Sequence, residues 1–126
     1  MATIFLVDDD FDFLYQSKIW FSQANYKVIT CQSSIEAAEQ IKNIKPDIAL
    51  IDLMMETNDS GFILARKIKQ QYPDIPVIML TAVSSELGIS FDANEKESKS
   101  WLFVDAIIDK GKDFKYIQKI IEQYIS

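Results

Sequence analysis

Apolar residues along this chain follow two rhythms. Short unbroken runs alternate with stretches in which apolar positions recur three or four residues apart. The runs TIFLVDD (3–9), YKVITC (26–31), DIALIDLM (47–54), IPVIMLTA (75–82) and AIIDK (106–110) read as strands. Helices are predicted between them. FDFLYQSKIWFSQAN (11–25) places Phe11, Leu14, Ile19 and Phe21 at helical spacing. SSIEAAEQIKNI (33–44) opens on Ser33 or Ser34 as a cap and sets Ile35, Ala38 and Ile41 on one face. SGFILARKIKQQY (60–72) stops at Tyr72-Pro73, and DFKYIQKIIEQYI (113–125) is the last helix. Residues 83–105 are polar in the middle and long for one crossover, with a helix expected over 93–102.

Strands that are apolar throughout, alternating with amphipathic helices, point to a parallel sheet covered on both faces. Five such units predict an α/β fold of the doubly wound, flavodoxin-like kind, strand order 2-1-3-4-5. The whole of 1–126 is expected to be a single domain, without an output domain after the last helix.

Composition narrows the chemistry. With 19 acidic against 13 basic residues the net charge is −6, and no dense Lys/Arg stripe offsets it, so direct nucleic-acid binding is not expected. No apolar run is long enough to span a bilayer, and the N-terminus lacks a basic leader. Cys31 stands alone and cannot form an internal disulfide, which suits a reducing, cytoplasmic setting. Histidine is absent, which removes His-based triads, His general bases and His-ligated metals. Chemistry must rest on carboxylates, hydroxyls, lysines and backbone.

The acids fall at telling places. Ile4, Phe5, Leu6 and Val7 run straight into Asp8, Asp9 and Asp10. In an open α/β sheet, ligands sit beyond the carboxyl ends of the strands where the winding reverses, here between the first and third strands. Asp52 lies near the end of the third, Thr81 ends the fourth and Lys110 ends the fifth. Any one of these residues is equally well a solvated loop residue; their combination is what carries meaning. Such crowded carboxylates call for a cation. Oxygen ligands without His or paired Cys suit Mg²⁺ or Mn²⁺ and disfavour zinc. Without metal, like charges are expected to raise at least one carboxylate pKa. Asp10 belongs either to this cluster or to the cap of the first helix.

The set VDDD, IDLMM, LTA and IIDK resembles the response-regulator receiver domain of two-component signalling. The resemblance implies that Asp52 is the phosphoacceptor. It implies that Asp8 and Asp9 hold Mg²⁺ together with Asp52 and the backbone carbonyl of Met54, Asp9 being the more direct ligand of the acidic pair. Thr81 is then the hydroxyl that bonds the phosphoryl group, and Lys110 the lysine that pairs with it. The implied donor is a phosphohistidine on a sensor histidine kinase or histidine phosphotransfer protein, with an unidentified downstream protein target. The domain would promote its own phosphotransfer and dephosphorylation without being an enzyme on other substrates.

Three positions depart from the usual pattern. Gly111 follows Lys110 where receivers usually carry Pro, which predicts a looser loop. Ile107 stands where an aromatic switch is frequent, and Glu56 replaces a usual Pro after the acceptor. Gly61 is expected to supply a turn or a close packing site. Phe91, Trp101 and Phe103, like Trp20 and Phe21, divide between core and partner face, while Met54, Ala82 and Val83 are expected to govern water access to Asp52. Two alternatives stay open. One is a non-phosphorylated pseudo-receiver serving as a binding module. The other is a haloacid-dehalogenase-like phosphatase, whose two aspartates would be Asp8 and Asp10. An FMN site is disfavoured, because three aspartates in the first loop would repel a phosphate.

Overall fold

The computed structural model describes residues 1–53, 55–57, 59–81 and 104–125. Five strands, β1 (Thr3–Val7), β2 (Lys27–Cys31), β3 (Ile48–Asp52), β4 (Val77–Thr81) and β5 (Ala106–Asp109), form one sheet in the order 2-1-3-4-5. Every neighbouring pair is parallel. The helices among the described residues are α1 (Phe11–Gln23), α2 (Ser34–Gln40), α3 (Ser60–Gln71) and α4 (Phe114–Ile125). The doubly wound fold expected from the sequence is the fold observed. The helix expected over 93–102, with Phe91, Trp101 and Phe103, lies outside the described residues, as do Met54, Ala82 and Val83.

Alternation along the strands builds two cores, because successive side chains point to opposite faces of a sheet. Phe5, Val7, Ala49, Ile51, Val77 and Met79 meet Ala37, Leu64, Ala65 and Ile68 from α2 and α3. Ile4, Leu6, Ile48, Leu50, Ile78 and Leu80 meet Leu14, Phe21, Ile117 and Ile121 from α1 and α4. Being buried on both sides, the central strands carry polar residues only at their ends: Thr3 opens β1, Asp52 closes β3 and Thr81 closes β4.

Two helices differ from expectation. In α1 the buried positions are Leu14, Ser17 and Phe21, while Phe11 and Ile19 face solvent. Residues 14, 17 and 21 make the ridge against the sheet, with the small Ser17 at its middle; 11, 15 and 19 form a separate outer ridge. The helix ends at Gln23 because Asn25 adopts a left-handed φ of 70°. The amide of Tyr26 then donates to Phe21 O (3.0 Å) and that of Asn25 to Ser22 O (3.2 Å), a Schellman ending sealed by the Phe21–Tyr26 ring contact. In α2 the inward residue is Ala37, Ile41 is buried just past the helix end, and Ile35 is exposed. That helix stops at Gln40, short of residue 44. The carbonyl of Ile41 accepts from Gln71 Nε2 (3.2 Å) and Tyr72 Oη (3.1 Å) instead of continuing a helical ladder.

Candidate functional site

A parallel register sends every strand's carboxyl end to one edge, and ladder hydrogen bonds run past the strand ends to fix what stands there. The Asp8 amide donates to Cys31 O (3.0 Å), the Leu53 amide to Leu80 O (2.9 Å) and the Lys110 amide to Thr81 O (2.8 Å). Asp8 is thereby pinned just beyond β1, Asp52 at the end of β3, Thr81 at the end of β4 and Lys110 just beyond β5.

Asp8, Asp9 and Asp52 each offer a carboxylate oxygen, and these oxygens lie within 4.8 Å of one another. Asp8 is fully buried, Asp52 is 8 % exposed, Asp9 is exposed, and Thr81 is buried at its strand end. Lys110 Nζ donates to Asp8 Oδ1 at 3.0 Å and lies 2.8 Å from Oδ2. It is also 3.7 Å from Asp10 Oδ2 and 4.8 Å from the centre of the Phe13 ring. The Oδ2 contact is an ion pair without hydrogen-bond geometry, so this buried oxygen has no hydrogen-bond partner.

Burial pushes the Asp8 carboxyl above its ordinary range, against the opposing pull of the Lys110 hydrogen bond and charge, the Asp10 amide and a hydrogen bond with Asp52. The direction is the one expected from the sequence, but desolvation, not like-charge repulsion, is its largest cause. For Lys110, burial disfavours the cation; its hydrogen bond to Asp8 and the fields of Asp8, Asp52 and Asp10 outweigh that and raise its pKa. Cys31, behind the site on β2, has its thiol pushed up to about 12 by burial and by the Glu36 charge.

Asp10 stands apart from the three-oxygen cluster. Its Oδ1 accepts from the Phe13 amide (3.2 Å) and caps α1. Gly61 meets its expectation of close packing. A Cβ there would lie 2.3 Å from Asp52 O and 2.6 Å from Leu53 O, and the Gly61 amide donates to Leu53 O at 3.1 Å. The first turn of α3 is thus pressed against the end of β3. Around Gly111 the loop is better organised than its glycine suggested. Asp109 Oδ1 accepts from the Gly111 amide (2.8 Å) and Asp109 O from the Lys112 amide (3.1 Å), which closes the turn without proline.

Sequence reasoning missed the contacts that two residues make near this edge. Ser60 Oγ accepts from the Met55 amide (3.1 Å) and donates to Thr57 O (2.9 Å), stapling the loop after Asp52. Glu56 reaches across to the Ser34 amide and hydroxyl at the start of α2. No local pattern announces that second contact, because its partner lies more than twenty residues away.

The donor set fits a hard divalent cation. Three convergent carboxylate oxygens, one of the acids holding a buried oxygen without a hydrogen-bond partner, match the preference of Mg²⁺ or Mn²⁺ for oxygen ligands. Residues 4–95 match the response regulator receiver domain family. The chain belongs to that family. Asp8, Asp9 and Asp52 therefore form the acidic cluster at the receiver's phosphorylation site.

Among curated relatives, the heme response regulator HssR of Staphylococcus haemolyticus is 39 % identical over 82 residues, 65 % of this chain and 36 % of that protein. Response regulator SaeR of Staphylococcus aureus is 37 % identical over 87 residues, 68 % of this chain and 37 % of that protein. The receiver thus spans little more than a third of the length of these two relatives. Among solved structures, the non-phosphorylated HemR receiver domain of Leptospira biflexa is 26 % identical with a TM-score of 0.81, covering 100 % of this chain and 95 % of that one. Response regulator TrrA of Thermotoga maritima, in complex with Mg²⁺–BeF, shares the fold at 22 % identity and a TM-score of 0.80, covering 98 % and 99 % of the two chains.

Proposed function

We propose that this receiver accepts a phosphoryl group on Asp52 from a phosphohistidine of a sensor histidine kinase or histidine phosphotransfer protein. The observation that carries this reading is the convergence of three carboxylates, one holding a buried oxygen without a hydrogen-bond partner, beside a lysine at a single sheet edge. An Asp52 carboxylate oxygen attacks phosphorus, the phosphorus–nitrogen bond breaks, and an acyl phosphate forms while the histidine leaves. Two anions must meet for this, so charge has to be neutralised in place. Asp8, Asp9, Asp52 and the Met54 carbonyl would hold Mg²⁺ or Mn²⁺, which when bound supplies that neutralisation. Lys110 exchanges its Asp8 contact for the phosphoryl oxygens, and the Thr81 hydroxyl donates to them.

Other features agree with a signalling role through protein contact. Phe11, Tyr15 and Ile19 form an exposed apolar ridge on α1, the helix that Asp10 caps beside the site. The acidic surface disfavours nucleic acid, and no described helix is long and apolar enough to cross a membrane. We read residues 1–126 as one receiver unit acting in the cytoplasm, with an unidentified protein target. The phosphatase alternative loses support because Asp10, its second acid, caps α1 and stands outside the cluster.

Incubation with Mg²⁺ and acetyl phosphate, read by intact mass, tests the proposal. The expected result is a single phosphoryl adduct that hydroxylamine removes and that Asp52→Asn does not acquire. No adduct, or the same adduct on Asp52→Asn, overturns it.

A further inference from the structure

The loop that follows Asp52 is fastened on two sides. Towards α3, the Gly61 amide holds Leu53 O and Ser60 Oγ holds the Met55 amide. Towards α2, Glu56 Oε1 and Oε2 accept from the Ser34 amide at 3.0 and 3.2 Å, and the Ser34 hydroxyl donates to Oε2 as well. Glu56 therefore fills the place of a helix cap from outside the helix, satisfying the Ser34 amide, which the first turn leaves without an intrahelical partner.

The helix receiving this help needs it. α2 has only 7 residues, too few to sustain itself by propagation alone. Its own side chains cover other donors: the N-cap Ser33 Oγ accepts from the Glu36 amide (3.1 Å), and Glu36 Oε2 accepts from the Gln32 amide (3.1 Å), one residue before the cap. The Ser34 amide is left to Glu56. At the other end, the Ile41 carbonyl relies on Gln71 and Tyr72 of the α3 segment. Both ends of α2 are thus completed by side chains that belong to the acceptor loop and to the helix behind it.

We propose that Glu56 couples the phosphoacceptor loop to α2, so that ligation at Asp52 is read out as a change in order of the first turn of α2. Only three residues separate Glu56 from Asp52, and Gly61 and Ser60 anchor the loop's far side. Displacement of the loop by a group on Asp52 is therefore passed to the Glu56 carboxylate instead of being absorbed. Ser34 and Glu56 both line the groove between α2 and α3, where Ile35 and Ile63 stand exposed. Glu56 is a positioning residue in this scheme; it touches no reacting atom. The inference rests on the reading of Asp52 as acceptor.

Amide hydrogen exchange and amide chemical shifts, with and without Mg²⁺ plus beryllofluoride, test it in the wild type, Glu56→Ala and Glu56→Gln. In the wild type, the Ser34 and Ile35 amides are expected to respond together with those of Asp9 and Thr81. In Glu56→Ala without ligand, Ser34 and Ile35 exchange roughly fivefold faster, the scale of losing a helix cap. On adding ligand, Asp9 and Thr81 still respond while Ser34 and Ile35 no longer follow. Glu56→Gln keeps an acceptor oxygen and gives an intermediate exchange rate with the response partly restored. If Asp9 and Thr81 respond while Ser34 and Ile35 stay silent in the wild type, or respond equally in Glu56→Ala, the coupling is wrong and the acceptor reading survives. If Asp9 and Thr81 themselves stay silent in the wild type, the acceptor reading fails and takes the coupling with it.

Discussion

Leu50 and Asp52 sit two residues apart on β3, are buried to nearly the same degree, and obey opposite physics. In the sheet interior, Leu6, Leu50 and Ile78 lie side by side on one face with at most 1 % exposure, each contributing the transfer energy of a buried aliphatic side chain. At the carboxyl edge, Asp8, Asp52 and Thr81 are withdrawn from water too, yet Asp8 gains one lysine and keeps an oxygen without a hydrogen bond. Burying a carboxylate works against folding unless its charge and lone pairs are fully met. The interior therefore supplies the stability, and the edge draws on it to keep charged groups poised for chemistry.

The contrast is broken most strongly from the interior. Leu50→Ala should lower unfolding free energy by about 2–5 kcal/mol in urea titrations, leaving the edge's chemistry intact in the fraction that stays folded. Gly61→Ala joins the two regions, since its new methyl meets Asp52 O and Leu53 O. A loss of roughly 1–3 kcal/mol is expected, accompanied by slower phosphorylation at a matched folded fraction.

Asp8→Asn sharpens the contrast by reversing the sign. The Asp8 carboxyl titrates higher in the folded protein than its ordinary 3.8, so the folded state holds that proton more tightly. Wild-type stability without metal consequently falls as pH rises from 3.8 through the raised folded value, and stays lower above it. Asparagine removes this penalty. The variant should be more stable than wild type at neutral pH by about 1 kcal/mol, the scale of an unmet buried polar group, and lose the corresponding pH dependence. A destabilised Asp8→Asn, resembling an ordinary core substitution, would erase the distinction between the regions.

What the sequence disclosed follows the same division. Strand runs such as IALID and VIMLT are apolar on both faces, so order and direction could be inferred, and the edge residues followed from where each run stops. Asp52, Thr81 and Lys110 were legible because topology alone carries them to one edge. The helix faces were less so. Phe11 and Ile19 are apolar yet point outward, and the small Ser17 takes the buried place between Leu14 and Phe21. Hydrophobicity ranks such positions wrongly when backbone approach, not side-chain volume, decides the contact. Glu56 and Asp109 were illegible as structural residues. The first acts over a long sequence separation, and the second shapes a turn whose glycine drew the attention.

Thermal unfolding of wild type and Asp8→Asn across a Mg²⁺ titration at neutral pH is the most direct test of the edge as a cation-dependent acceptor site. The account predicts that wild type, the less stable protein at the start, gains stability with Mg²⁺ and approaches or overtakes the variant, by about 2.7 kcal/mol at a hundredfold excess over its dissociation constant. Asp8→Asn should gain far less. A wild-type midpoint that Mg²⁺ leaves unmoved, or an equal gain in both proteins, would contradict it.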